Sequence, residues 1–254
     1  MTLAAFIDQT ARHLRISTRV AVLTGAGVSK ESGVPTFRDA LDGLWSQYDP
    51  TALATPQAFN ANPKLVWDFY EFRRTLMRPA RPNAGHEALA AMEQRIADFT
   101  LITQNVDDLH EQAGSHNIIR LHGRINANRC SANCLGSPTL IDVESFEWNR
   151  EQGPPGCPHC GQPVRPDVVW FDEVLPLAAL DAAKIAATQA QVMLIIGTSG
   201  LVSPAADLPR YAKHEGALLI EINPEPSALT DHVDIWLQGA SGEVLPRLLA
   251  AMAT

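Results

Sequence analysis

The chain has 254 residues, of which 46% are hydrophobic and 19% are charged, and its formal net charge is −8. A chain of this length can bury a large core, its aliphatic runs are too short to cross a bilayer, and an acidic balance without a basic run argues against nucleic acid as a ligand. The first fifteen residues have the pattern of an amphipathic helix rather than a signal peptide. We therefore expect a globular, cytoplasmic protein that binds small molecules or other proteins, without membrane or nucleic-acid binding.

Four short apolar runs predict buried strands. They cover residues 20–24, 99–103, 192–196 and 217–222, and they end in Gly25-Ala26-Gly27, Gln104-Asn105-Val106-Asp107, Gly197-Thr198-Ser199 and Asn223-Pro224. Helical periodicity between the runs indicates βαβ units, and the lack of strict alternation indicates parallel strands that helices cover on both faces. Because ligands bind beyond the carboxyl ends of such strands, we expect the four polar clusters to converge.

Two segments depart from this rhythm. Residues 124–168 contain all four cysteines and the stretch GPPGCPHCGQP, without a long helical pattern, which indicates an insertion. Residues 34–82 are irregular but include KLVWDFYEFRRTLM, where aromatic and basic side chains recur at helical spacing. We expect this second segment to form one or two helices that cap the ligand-binding crevice beyond the carboxyl ends of the strands.

The cysteines form two close pairs, Cys130-x3-Cys134 and Cys157-x2-Cys160. This spacing suits a single tetrahedral zinc ion, whereas two disulfides or four free thiols are the alternatives. Disulfides are disfavoured in the reducing compartment that we expect for this chain. His159 is an alternative ligand, but four thiolates already complete the shell, so the zinc is expected to be structural.

The loop after the first strand is rich in glycine, which lets a backbone approach a phosphate at a helix N-terminus. Its spacing departs from the common G-x-G-x-x-G pattern, because Lys30 stands where the third glycine belongs and the next glycine is Gly33. A plain strand-to-helix turn is therefore an equal alternative. Phe37 and Arg38 follow and add an aromatic ring and a fixed cation suited to a nicotinamide ring and to phosphate.

Two further candidates stand in strand-end positions. The amides and carboxylates of residues 104–108 are suited to ribose hydroxyls or a carboxamide, but they equally suit the cap of the next helix. His122 follows the short apolar run that ends at Leu121. A lone histidine is more often structural, although its pKa near neutrality makes it a natural general base.

In combination, these motifs resemble those of the sirtuins. GAGVSKESGVPTFRD, TQNVDDLH, LHG, the two cysteine pairs, RPDVVWFDE, GTSGLVSPAA and INPEP occur in the sirtuin order from about residue 20 to about residue 242. The resemblance implies an α/β fold: a Rossmann-like doubly wound parallel sheet with an inserted small zinc-ribbon domain and a helical cap. The NAD-binding domain would comprise residues 1–123 and 169–254, with the cofactor loop and cap in 34–82, and the zinc-binding domain would comprise 124–168.

The resemblance also implies an NAD-dependent protein-lysine deacylase with NAD as co-substrate, one structural zinc ion and acyl-lysine proteins as partners. The acyl oxygen attacks the ribose anomeric carbon as nicotinamide leaves, and a base then activates a ribose hydroxyl. The products are free lysine, nicotinamide and an O-acyl-ADP-ribose. We expect a monomer.

Site residues follow from the same resemblance. The catalytic residues would be His122, as the base, and Asn105. Residues implied to bind the cofactor are Gly25, Ala26, Gly27, Ser29, Pro35, Phe37, Arg38, Gln104, Asn105, Val106, Asp107, Gly197, Thr198, Ser199, Asn223, Pro224, Glu225 and Ser241. Val169 and Phe171 would bind substrate, and Cys130, Cys134, Cys157 and Cys160 would bind zinc.

Tyr70 and Arg73 resemble the Tyr-x-x-Arg pair of the sirtuin branch that acts on acidic acyl groups. A helix places these positions on one face, and a buried succinyl or malonyl carboxylate needs an arginine and a hydroxyl to receive it. The alternative is that Arg73 or Arg74 pairs with a surface acid and that Tyr70 packs in the core. We expect succinyl and malonyl groups to be removed, and acetyl groups as well.

Some positions depart from the sirtuin pattern. Asp172 stands where the family usually has glycine, in the strand expected to pair with the substrate backbone. Gly200 and Ser203 replace larger residues, and the first cysteine pair is one residue longer than usual, which concerns the turn of the ribbon rather than its ligands.

Four other functions compete with this interpretation. A dedicated deacetylase, a non-catalytic NAD or ADP-ribose sensor and an ADP-ribosyl transferase would all use the same fold. A pyridine-nucleotide dehydrogenase is disfavoured, because the glycine spacing fails at Lys30.

Overall fold

The computed structural model describes residues 2–36 and 43–253. Within these ranges the α-helices are α1 (Leu3–Ile16), α2 (Gly27–Lys30), α3 (Pro50–Leu53), α4 (Pro56–Ala61), α5 (Pro63–Met77), α6 (Ala84–Glu93), α7 (Leu109–Gln112), α8 (Leu177–Gln189), α9 (Leu208–His214) and α10 (Ser241–Ala251). The strands are β1 (Arg19–Thr24), β2 (Asp98–Thr103), β3 (Ile118–Arg120), β4 (Gly123–Cys130), β5 (Val164–Val168), β6 (Val192–Ile196), β7 (Leu218–Asn223) and β8 (Ile235–Gln238). Short 3-10 helices cover Gly43–Gln47, Val143–Ser145, Arg150–Gln152, Ala205–Asp207 and Thr230–His232.

The chain folds into two compact units. Unit 1 contains Met1–Thr36, Ala80–Leu121 and Leu175–Thr254, and unit 2 contains Phe37–Pro79 and His122–Val174. Each unit is therefore assembled from segments that are distant in the sequence.

Unit 1 is built on a six-stranded sheet with the order β3-β2-β1-β6-β7-β8. Every neighbouring pair is parallel. Counted within this sheet alone, the order is 3-2-1-4-5-6, which is the order of a dinucleotide-binding Rossmann sheet. The α/β prediction is confirmed, and the order of the strands reverses between β1 and β6.

Helices cover both faces of this sheet. On one face, α1, α6 and α10 pack together and bury Leu14, Leu89 and Leu245 against side chains of the strands, including Val22. On the other face, α8 and α9 pack on each other and on neighbouring strands. Burial on both faces explains why the strands are apolar throughout rather than alternating.

The four predicted strands agree with β1, β2, β6 and β7 to within one residue. Strands β3 and β8 were not predicted from the sequence. These outer strands are short, with three and four residues, and their apolar runs are correspondingly weak. They form by pairing with β2 and β7 at the two edges of the sheet.

Unit 2 combines α3, α4 and α5 with an antiparallel pair, β4 and β5. Pro63 and the N-cap Asn62, whose Oδ1 accepts from Leu65 N at 3.0 Å, begin α5. Two hydrogen bonds hold this helix against β4. Arg74 Nε donates to Ile125 O at 2.7 Å, and Arg74 Nη2 donates to Asn128 Oδ1 at 2.6 Å. The predicted helix in KLVWDFYEFRRTLM is present as α5.

Among the described residues, no helix combines the length and the apolar character needed to span a membrane.

Candidate functional site

The carboxyl ends of β1 and β6 meet at the point where the strand order reverses. Gly25 and Gly27 follow β1, and Gly197 follows β6 with a φ of 60°. Gly27 N donates to Gly197 O at 2.8 Å. A Cβ on Gly197 would lie 2.5 Å from Val28 N, and one on Gly27 would lie 2.7 Å from Gly197 Cα. The glycines therefore permit backbone-to-backbone contact between the two loops, and the adjacent Ala26 N–H donates to no described residue.

A buried polar cluster joins the first of these loops to the end of β2. Ser29 Oγ donates to Asp107 Oδ2 at 2.9 Å, and Asn105 Nδ2 donates to Ser29 Oγ at 3.2 Å. Burial raises the pKa of Asp107, while its hydrogen bonds from Leu109 N and Ser29 lower it. The structure thus brings together three of the predicted site residues, Ser29, Asn105 and Asp107.

Arg120 holds the loop that carries this cluster. Its Nη2 lies 2.6 Å from Glu111 Oε2 and 2.9 Å from Asp108 Oδ1, and its Nη1 donates to Asn105 O at 3.4 Å. Arg120 was not among the site residues predicted from the sequence. The acidic spacing of Asp108 and Glu111, followed by an arginine at the end of the next strand, was the available signal.

A chain of hydrogen bonds crosses the carboxyl ends of β2, β6 and β7. Gln104 Nε2 donates to Thr198 Oγ1 at 3.0 Å, and Asn223 Nδ2 donates to Thr198 O at 2.9 Å. Asn223 Nδ2 also donates to Glu221 Oε1 at 2.9 Å. The clusters after these strands converge as their positions in the sequence predict.

Two threonines and two histidines support the ends of β1 and β2 from within the core. Thr24 Oγ1 lies 2.9 Å from Thr103 Oγ1 and 3.1 Å from His110 Nε2. The rings of His86 and His110 are 4.8 Å apart. Burial lowers the pKa of His86 to about 4 and that of His110 to about 3, so both are neutral at pH 7. These four residues were not among those predicted from the sequence.

The remaining cofactor candidates of unit 1 lie at or near the same edge. Ser241 begins α10 and donates from Oγ to Glu31 Oε1 at 3.1 Å. Pro35 and Val106 are half-buried, and Ser199, Pro224 and Glu225 are exposed. Phe37 and Arg38 lie outside the described residues.

His122 belongs to unit 2 and lies half-buried directly before β4. Its carbonyl oxygen accepts from Val169 N at 3.0 Å, and Phe171 N donates to Ala54 O at 3.0 Å. Between them, Trp170 N donates to Glu173 Oε2 at 2.8 Å. The segment 169–171 is thereby fixed to the backbone beside His122.

The same segment contacts α5. Trp170 Nε1 donates to Tyr70 Oη at 2.9 Å, and Tyr70 is 1% exposed. Arg73 is 5% exposed, with its guanidinium 5.8 Å from the Phe69 ring centroid. Arg74 Nη1 lies 2.5 Å from Glu71 Oε1, so Arg74 pairs with an acid.

Burial sets the protonation of both side chains. It raises the pKa of Tyr70 to about 12, so the phenol is neutral at pH 7. Burial also lowers the pKa of Arg73, but an arginine stays charged at that pH. A buried cation and a neutral hydroxyl therefore lie one helical turn apart on α5.

Asp172 lies in a turn beyond the end of β5, not within a strand as expected from the sequence. Its φ is 66°, in the left-handed region that favours glycine. Aspartate tolerates this region better than most residues. The conformation accounts for the glycine expected at this position.

The four cysteine sulfurs form one cluster and all lie within 4.8 Å of one another. Cys130 Sγ is 3.5 Å from Cys160 Sγ, and Cys134 Sγ is 3.8 Å from Cys157 Sγ. All four are free thiols, which rules out the disulfide alternative. Zn–S bonds of about 2.3 Å in a tetrahedron place the sulfurs about 3.8 Å apart, so the cluster fits one structural zinc ion.

The longer first cysteine pair is accommodated in its turn. Asn133 adopts a left-handed φ of 49°, and its N–H donates to Cys130 O at 3.1 Å. This turn absorbs the extra residue without moving the sulfurs out of reach. Cys130 and Cys157 also pack in an apolar cluster with Trp67 and Val164.

Comparison with known proteins agrees with this geometry. The model of the Sir2 family matches residues 25–204. A protein of Methylococcus capsulatus named NAD-dependent protein deacylase is 51% identical over 97% of both chains. A crystal structure of a Sir2 homologue–NAD complex is 43% identical, with a TM-score of 0.87 over 96% of this chain and 93% of the other.

A further solved structure, Sir2 bound to an acetylated peptide, is 29% identical, with a TM-score of 0.84 over 98% of both chains. The similarity covers the glycine loops, the QNVD loop, His122 and the cysteine cluster. The chain belongs to the Sir2 family, the sirtuins.

Proposed function

We propose that this protein is an NAD-dependent protein-lysine deacylase that removes succinyl and malonyl groups and also accepts acetyl groups. The observation that carries the acyl preference is the buried pair Tyr70 and Arg73, which unit 2 connects to His122 through the segment 169–171. Members of the family with the names and ligands described above support the deacylase activity itself.

The carboxyl edge of the unit 1 sheet fits NAD. The Ala26 N–H donates to no described residue. It is therefore available to donate a hydrogen bond to the diphosphate of NAD. Gln104, Asn105 and Asp107 hold the nicotinamide and its ribose, and Thr198 and Asn223 hold the adenosine end. When bound, NAD supplies an electrophilic ribose carbon with nicotinamide as its leaving group.

His122 is the proposed general base. Its imidazole removes a proton from a ribose hydroxyl, which then attacks the activated acyl group. Asn105, fixed through Ser29 and Arg120, positions the reacting ribose. A cationic leaving group needs no acid, so one base and positioning amides suffice.

The acyl pocket uses Tyr70 and Arg73. The Tyr70 hydroxyl oxygen accepts from Trp170, which leaves its own proton to donate to a carboxylate. Arg73 adds a charged donor at a buried position. Together they offset the cost of desolvating the free carboxylate of a succinyl or malonyl group.

We also propose the two ligand-binding domains that were inferred from the sequence. Residues 1–123 and 169–254 bind NAD, with 34–82 as cofactor loop and cap, and 124–168 bind zinc. This division follows the ligands, whereas the two compact units follow packing. Val169 and Phe171 bind the acyl-lysine protein, and the enzyme is a monomer in the cytoplasm.

The experiment is an acyl panel with NAD on one peptide, with acetyl, malonyl, succinyl and glutaryl lysine. The double variant Tyr70→Phe and Arg73→Met should lower kcat/KM for the succinyl peptide on the order of 100-fold, since it removes two hydrogen bonds to a charged group. Acetyl-lysine, which has no second carboxylate, should lose about threefold or less.

Arg78→Met is the matched control, because Arg78 is an exposed arginine at the end of the same helix. It should leave the ratio of the succinyl to the acetyl rate unchanged. Equal losses on both peptides in the double variant would disprove the pocket assignment, and the absence of nicotinamide release with every peptide would disprove the deacylase activity.

A further inference from the structure

Glu221 is a buried residue of β7 whose carboxylate contacts Asn223 at the end of that strand and Thr230 in the segment after it. It is 0% exposed, and none of the salt bridges between described residues includes it. A buried acid without a cation is costly, and it persists where it receives strong hydrogen bonds. Its position in β7 does not by itself explain why a carboxylate is buried there.

Both oxygens of Glu221 accept hydrogen bonds. Oε1 accepts from Asn223 Nδ2 at 2.9 Å, and Oε2 accepts from Thr230 Oγ1 at 2.6 Å. Thr230 Oγ1 itself accepts from Ser227 N at 2.8 Å, so its single proton is directed at Glu221. Glu221 thus acts as an acceptor on both sides, as an ionised carboxylate does.

These contacts fix the orientation of the Asn223 amide. The same side-chain atom lies 2.9 Å from Glu221 Oε1 and 2.9 Å from Thr198 O. Because both neighbours are acceptors, that atom must be the nitrogen, and both of its protons are used. Asn223 Oδ1, which accepts from no described residue, is the polar atom that remains for a ligand.

An acceptor at this position selects among dinucleotides. A carbonyl oxygen accepts a hydrogen bond from a ribose hydroxyl, whereas a phosphate has no proton to donate to it at neutral pH. A carboxylate in contact with this amide also adds repulsion toward a second negative group. The arrangement favours a free hydroxyl over a phosphorylated one.

We propose that Glu221 is a positioning residue that presents Asn223 Oδ1 to the cofactor, and that it thereby favours NAD over its 2′-phosphorylated form. The inference rests on the proposed function, because it takes the edge beyond β6 and β7 as the adenosine end of the NAD site.

The test isolates the Asn223 contact from the Thr230 contact. Thr230→Val removes one donor to Glu221 and leaves Asn223 held. The double variant Glu221→Met with Thr230→Val removes the carboxylate without leaving the Thr230 proton unsatisfied. The difference between the two variants therefore reports the effect of Glu221 on Asn223 alone.

Dissociation constants for NAD and NADP are measured by calorimetry, without peptide, and thermal melting establishes that each variant is folded. The double variant should bind NAD about tenfold more weakly than Thr230→Val, the effect of one lost hydrogen bond of about 1.4 kcal/mol. The ratio of the NADP constant to the NAD constant should fall by at least as much. KM for the acyl peptide should not change.

An unchanged ratio in the folded double variant would overturn the inference. Should that variant fail to fold, Glu221→Leu with Thr230→Val, which removes the same carboxylate with a different apolar side chain, is compared with Thr230→Val in the same way. Its ratio of the NADP constant to the NAD constant should also fall, and an unchanged ratio overturns the proposal. Binding is measured without turnover, so a protein that binds NAD with this selectivity but deacylates no peptide refutes the proposed function and leaves this inference intact.

Discussion

At the scale of single residues, backbone conformation and burial decide several features of the site. Gly27 and Gly197 are required where two loops meet through their backbones. Asp172 adopts a left-handed φ of 66° on an exposed turn. The conformation, and not the position in a strand, is therefore the constraint on Asp172.

Asp172→Gly should stabilise the protein by about 1 kcal/mol, because glycine adopts this conformation without the steric cost of a Cβ. Urea unfolding at pH 7 measures the change. Asp172→Ala is the control: it removes the same charge but keeps a Cβ, and it should be less stable than the wild type. If both variants were equally stabilised, the charge and not the conformation would be the cause.

At the scale of elements, the start of α6 is tied to the loops of the site. Asn83 caps α6, and its Nδ2 donates to Val28 O at 2.8 Å and to Ser32 Oγ at 2.9 Å. His86 closes the capping box and packs its ring on His110 of α7. These histidines are buried and neutral, so protonation opposes folding.

The histidine pair predicts a loss of stability in mild acid. The folded-state pKa values of about 4 for His86 and about 3 for His110 lie below the ordinary value of 6.5. The unfolded chain therefore binds protons that the folded chain does not, and stability falls as the pH drops below 6.5. Between pH 6.5 and pH 5 each histidine contributes a loss of about 2 kcal/mol.

Urea unfolding at a series of pH values measures this effect. His110→Gln retains a donor toward Thr24 but does not titrate, so its stability should vary less with pH than that of the wild type. His232→Gln, at an exposed position, is the control for the substitution itself, and its stability at each pH should follow that of the wild type. A wild-type stability that is constant from pH 7 to pH 5 would contradict the prediction.

At the scale of the whole molecule, the two compact units are stabilised differently. Unit 1 has a large core on both faces of its parallel sheet, centred on strands such as β1 and β6. The cysteine segment of unit 2 has a small apolar cluster around Cys130, Cys157 and Trp67. A small cluster of this kind depends on its metal.

Chelation of zinc should therefore unfold the cysteine segment and spare the sheet. We expect one zinc ion per chain, and its removal should abolish hydrogen-exchange protection in β4 and β5 while protection in β1, β6 and β7 persists. Adding zinc back should restore it. Protection that survives chelation in β4 and β5 would show that the metal is not structural.

Features that depend on neighbours in the chain were predictable from the sequence alone. Hydrophobic periodicity predicted the four central strands and α5, and cysteine spacing predicted the zinc ligands. Both signals depend only on residues that are close together in the chain. Parallel strands place their carboxyl ends at one edge of a sheet. The predicted strands therefore also predicted that Asn105, Thr198 and Asn223 lie at that edge.

Which groups from distant segments meet was set by packing between elements. The helix itself places Arg74 one turn from Glu71, but only the packing of α5 buried Arg73 and brought Arg74 to Ile125 O and Asn128 Oδ1 of β4. The same holds for the contact of Glu221 with Thr230, which lies in the segment after β7, and for that of His110 with Thr24 of β1. A side chain's partner is set by the segments that folding brings together, and those contacts leave no periodicity in the chain.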